Sequence, residues 1–106
     1  MIVVRITMNA PLGNQKELVQ TLLSMMGPIE QEAGCLSCGL FGDIEDKNFL
    51  ILLEEWRTRK ALDLHFQSEM FGVLLGTKSL LTEPHVIQIN TIQKSEGEEA
   101  VHALRG

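Results

Sequence analysis

The residue types best suited to chemistry in this chain are Trp56 and His65, nine positions apart. Trp56 ends an apolar run and offers a flat face on which an aromatic ligand could stack. An unperturbed histidine titrates near pH ~6.5, so His65 can serve as acid, base or hydrogen-bond donor at neutral pH. Glu54 lies two residues before Trp56 and shares its strand face. A carboxylate there can join proton chemistry. More commonly it is neutralised, here by Arg57 or Arg59, because an unpaired buried carboxylate is costly. The plainer reading of the Trp–His pair is a packed indole and a satisfied, partly buried imidazole. From the bare residues that reading is the commoner outcome.

Other candidates are weaker. Cys35-Leu-Ser-Cys38 has the spacing of a zinc or redox pair, but no second pair supplies the remaining zinc ligands. On a regular strand, residues three apart face opposite ways, so the two thiols are expected to diverge and remain reduced and structural. His85 and His102 are scattered, and no metal site is expected. Met8, Met25, Met26 and Met70, with Phe66 and Phe71, are material for an adaptable apolar cavity or, more often, for plain core. There is no Gly-rich phosphate loop, nucleophile elbow or metalloprotease helix motif.

The elements that must position these residues can be read from periodicity. Residues 2–9 alternate, with Ile2, Val4, Ile6 and Met8 on one face and Val3, Arg5, Thr7 and Asn9 on the other. Asn14, with Glu17 three residues on, predicts a capped helix over 14–33 whose stripe is Leu18, Leu22, Met25, Met26 and Ile29. Gly27-Pro28 predicts a kink or break in it, and Gly34 a left-handed cap. A second strand is expected over 36–43 and a polar connection over 43–47. The third strand runs to Trp56, with Phe49, Ile51, Leu53 and Glu55 on one face and Leu50, Leu52, Glu54 and Trp56 on the other. Thr58 predicts the N-cap of a helix over 59–75 that turns His65 back toward Trp56. Gly76 and Thr77–Ser79 read as a loop, and residues 85–92 as a last strand. The order β-α-β-β-α-β is the ferredoxin-like α+β arrangement with a four-stranded antiparallel sheet.

A chain of 106 residues with 44% hydrophobic content is one domain with a real core. Residues 1–93 form it. Residues 94–106 are a tail that either frays or forms a short helix docked as an arm on a partner subunit. The net charge of −5, without a basic stripe, argues against nucleic acid and anionic membrane as partners. No leader or membrane-length apolar run is legible, so a cytoplasmic protein is expected. The third strand is apolar on both faces, yet two helices cover only one face of a four-stranded sheet. A large apolar patch is seldom left in water. A homodimer with two sheets face to face is therefore expected.

Gly34-Cys35-Leu36-Ser37, then Glu54-Glu55-Trp56, Ala61-Leu62, His65 and Ser68, resemble the antibiotic biosynthesis monooxygenase (ABM) family over about residues 2–93. The resemblance implies a dimeric α/β barrel. It also implies an oxygenase, without metal, flavin or other cofactor, that converts a quinol, phenol or anthrone to a quinone with O₂. His65 would be base or donor, Trp56 and Phe71 aromatic walls, and Met8, Phe66 and Met70 further lining. The chain has no Tyr, so a tyrosine-dependent variant of the chemistry is not available to it. In the haem-degrading branch, an Asn, a Trp and a His ligand fall at Ile6, His65 and Leu75 here. Without that ligand, haem degradation is not implied, and Ile6 and Leu75 become apolar walls. The alternatives are an isomerase-like member of the same family and a dimeric module that binds a small aromatic or apolar ligand without chemistry.

Overall fold

The computed structural model describes residues 1–106. Strand β1 (Ile2–Asn9) buries Ile2, Val4, Ile6 and Met8, as its alternation requires. It is an inner strand, paired antiparallel with β3 (Phe49–Trp56) and β4 (Val86–Thr91), while β2 (Cys35–Gly42) forms the far edge beyond β3. The sheet order β2-β3-β1-β4 with helices on one face is the ferredoxin-like α+β fold.

Helix α1 (Leu12–Glu30) buries Leu18, Leu22, Met25 and Ile29 against that sheet. Its ends depart from the sequence expectation. Pro11 occupies the cap, and Asn14 instead donates its side-chain amide to Leu80 O at 3.1 Å. The helix passes through Pro28 without breaking. Proline in the last turn removes a single bond, and the fully buried Ile29 holds that turn against the core. The helix then stops at Glu30, before Gly34. Gly34 has φ +84°, and its carbonyl accepts the Arg57 N–H at 2.8 Å. A Cβ there would lie 2.5 Å from the Ala61 Cβ, so only glycine fits this crossing.

Beyond β3, Thr58 caps helix α2 (Arg59–Phe66), its hydroxyl accepting the Ala61 N–H at 3.1 Å. The single helix expected over 59–75 is two. Ser68 interrupts it, its hydroxyl donating to His65 O at 2.6 Å and accepting the Phe71 N–H at 3.2 Å. Serine competes for backbone partners in this way and starts α3 (Glu69–Gly76) on a new axis. The expected loop after Gly76 is a 3₁₀ turn over Thr77–Leu80. Helix α4 (Glu98–Arg105) lies in the tail and has no buried residue. No helix is long and apolar enough to cross a membrane.

The face of the sheet away from α1–α3 carries Phe49, Ile51 and Leu53 from β3, with Phe41 and Val86 more than half exposed. Arg5, Phe41, Ile51 and Leu53 line a shallow cavity there of about 250 Å³.

Candidate functional site

On the covered face, β3 projects Leu50, Leu52, Glu54 and Trp56 inward in register. The last turn of α2 brings His65 down on this row. The connection from α1 to β2 adds Glu32. His65 Nε2 is 3.2 Å from Glu54 Oε2, and Nδ1 lies 3.1 and 3.0 Å from the two Glu32 oxygens. Trp56 Nε1–H donates to the other Glu54 oxygen at 2.9 Å. The imidazole also stacks on the Trp56 indole, with centroids 4.6 Å apart and planes inclined 29°. Phe71 meets it edge-on at 5.3 Å, and Phe66 packs against Phe71 at 4.8 Å.

His65, Glu54 and Trp56 are fully buried, whereas the Glu32 side chain is one-quarter exposed. Ionised carboxylates only accept hydrogen bonds. The network is therefore complete when His65 carries both ring protons. Burial alone would push the imidazole pKa down. The hydrogen bond and charge of Glu54, with the charge and hydrogen bond of Glu32, outweigh it, and the pKa is raised above 6.5.

Of the residues singled out in the sequence, Trp56, His65 and Glu54 lie in direct contact. The expected neutralising arginines do not reach Glu54: its partner is His65, and Arg59 pairs instead with Asp63 at 2.8 Å on the surface of α2. Arg59 and Asp63 are four apart on one helix, a spacing that brings side chains together more readily than a reach back to the strand. Phe66 and Phe71 join the aromatic cluster around His65. Ile6 and Met8 are buried in the core on β1, Met70 is half-buried, and Leu75 is exposed on α3. Glu32 was not legible, because it follows a helix end and reaches His65 only through the tertiary crossing at Gly34.

The cysteines also differ from expectation. A bulge between Cys35 and Ser37 sets Cys35 opposite Trp56 and Cys38 opposite Glu54. Both thiols therefore sit on the covered face instead of diverging. Both are free. Burial, then the charge of Glu54, raises the Cys35 pKa and pushes that of Cys38 up to about 12. At neutral pH they are protonated and poor nucleophiles. No three His, Cys, Asp or Glu side chains converge as a metal-ligand set.

An antiparallel ferredoxin-like sheet whose edge-to-centre strand ends in Glu-x-Trp, with a histidine returned onto it by the next helix, defines a small α+β domain with a buried acid–imidazole–indole centre. The chain belongs to the antibiotic biosynthesis monooxygenase family, whose profile matches residues 1–75. It is 30% identical over 83 residues to sll1783, an uncharacterised protein of Synechocystis, covering 77% of this chain but only 56% of that protein. Rv0793 of Mycobacterium tuberculosis superposes with a TM-score of 0.82 at 25% identity, covering 91% of this chain and 98% of that one. A Deinococcus radiodurans structure described as an antibiotic biosynthesis monooxygenase superposes with a TM-score of 0.84 at 20% identity, over 92% of this chain and 97% of that one. At that identity the likeness is one of fold.

Proposed function

We propose that this chain is a cofactor-independent monooxygenase that oxidises a small electron-rich aromatic of quinol, phenol or anthrone type with O₂. The observation that carries the reading is the link Glu32–His65–Glu54, which runs from a partly exposed carboxylate to a fully buried one. Oxidation of a methylene to a carbonyl, R₂CH₂ + O₂ → R₂C=O + H₂O, removes two protons from carbon, one before and one after O₂ is bound, and delivers both to the departing oxygen. Deprotonated substrate passes an electron to O₂, the radical pair combines to a peroxide, and the protonated peroxide then loses its remaining carbon-bound proton as the O–O bond breaks and the outer oxygen leaves as water. The protein must take a proton, hold it and return it. Glu32, at the exposed end, takes it from the substrate. The positive charge of His65, held behind Glu32, offsets the negative charge of the resulting anion without touching it. His65 and Glu54 keep the proton available until the peroxide collapses. Trp56 and Phe71 hold the imidazole in place, and Phe66 and Met70 are partly exposed apolar groups packed against the core around it.

Energetics favour a functional role. Burying an ion pair in place of apolar side chains of similar volume is often neutral or destabilising by ~1–4 kcal/mol, so stability is a poor reason for the cluster. Domains of this family commonly pair, and the open apolar sheet face supports a homodimer here, with helix α4 available as an arm on the partner subunit.

The test is oxygen uptake by purified protein with a panel of quinols, phenols and anthrones, comparing wild type with Glu32→Gln and His65→Gln. Uptake with stoichiometric quinone, reduced at least 100-fold in both variants, is expected. Uptake unchanged in both would overturn the role of the link. One observation favours a second reading, a binding module without turnover: both His65 nitrogens are already engaged, and none of the three cavities borders it. In that case panel members raise the melting temperature by linkage but consume no oxygen.

A further inference from the structure

The β2 bulge creates a feature that the oxygenase reading does not use. Cys35 and Cys38 share the covered face and line one cavity of about 400 Å³, together with Glu30, Gln31, Leu36 and Ser37. The Met26 thioether on α1 lies behind Cys38, its Sδ 3.6 Å from the Cys38 Sγ. We propose that Cys35, Cys38 and Met26 form a binding site for a soft monovalent cation of the Cu(I) class.

The Cys38 thiol and the Met26 thioether are in contact, and Cys35 lines the same cavity as Cys38; thiolate with thioether is the donor set that selects Cu(I) over harder ions. Zinc sites use thiolate, imidazole or carboxylate, and no such set of three converges here. The surroundings are acidic. Burial first, and then the charges of Glu54, Glu30 and Glu32, disfavour a bare thiolate at both positions, and those same charges favour an incoming cation. The thiols pair in register with Trp56 and Glu54, two residues apart on β3, which sets their backbones about 7 Å apart, at the limit of what a disulfide closes. They are therefore available as separate ligands. Each thiol that coordinates gives up its proton to solvent as the metal–sulfur bond forms, so affinity rises with pH. The cation does not change oxidation state.

The experiment is anaerobic competition for Cu(I) between the full chain and a chromophoric chelator, repeated with redox-inert Ag(I). One equivalent bound, weakened at least 100-fold by Cys38→Ser and about tenfold by Met26→Leu, is expected, with tighter binding at higher pH. Absence of competition, or affinity unchanged in Cys38→Ser and Cys35→Ser, overturns the site. Met26→Leu preserves apolar volume, and labelling of native wild-type thiols by a maleimide, with and without one equivalent of Ag(I), needs no variant. Unprotected thiols would likewise overturn it, and a preference for Zn(II) over Cu(I) would refute the soft-cation assignment. This inference does not rest on the oxygenase reading.

Discussion

His65 Nε2 and Glu54 Oε2 meet at 3.2 Å with both side chains withdrawn entirely from solvent. One residue comes from the end of a short helix and the other from the middle of the sheet, so the contact ties α2 to β3. The Trp56 indole closes it from both sides of the pair, bonding to Glu54 and stacking on His65.

Removing both partners should cost less than the sum of removing each alone. Glu54→Ala leaves a buried imidazolium facing a void, and a loss of about 3–5 kcal/mol is expected. The double variant Glu54→Leu/His65→Leu should lose less than the sum of the single Leu variants. Denaturant unfolding of the four proteins measures the coupling, and additive losses would show that the pair does not interact.

The pH dependence has a definite sign. The folded-state pKa of His65 is raised above 6.5. Its contribution is fully present below the unfolded value and is lost as pH rises through the folded value. Stability of the wild type should therefore fall as pH is raised from 6.5 toward 9.0, the ordinary cysteine value, below which the thiols do not contribute. Thermal unfolding at several pH values checks this, and His65→Gln should lack that slope.

Gly34 positions the connection that carries Glu32. Gly34→Ala should lose about 1–2 kcal/mol from the left-handed backbone alone, with a further loss from the contact with Ala61. Ala61→Gly in the same chain should recover the steric part only. Full recovery of stability would show that φ at this position is not constrained.

Ile51 faces away from His65 on the open side of the sheet. Ile51→Glu should convert a dimer to monomers in sedimentation velocity while leaving the near-UV signal of Trp56 intact. A monomeric wild type would refute the pairing of sheets.

Much of the fold was legible because its signals are local. The alternation of Ile2 to Met8 marked the buried face of β1, the unbroken apolar run from Phe49 marked β3 as covered on both faces, and Thr58 marked the start of α2. The return of His65 onto Trp56 followed from helical spacing. What escaped depends on tertiary context or on a single irregularity. Ser68 reads as an ordinary helical position until its hydroxyl is seen to bond both neighbouring turns. The β2 bulge reverses the relative facing of Cys35 and Cys38 with no sequence mark. Glu32 acquires its role only from the crossing at Gly34, and Glu54 found its partner in His65 rather than in the nearby arginines.

The charge on His65 is the most direct point of test. Nitrogen-15 NMR of histidine-labelled protein, with His65 assigned by its absence in His65→Gln, reports both ring nitrogens across pH. The expected result is a midpoint above 6.5, with both nitrogens protonated below it. A neutral ring at pH 7, with a midpoint at or below 6.5, would contradict the carboxylate–imidazolium–carboxylate link and the proton-holding role built on it.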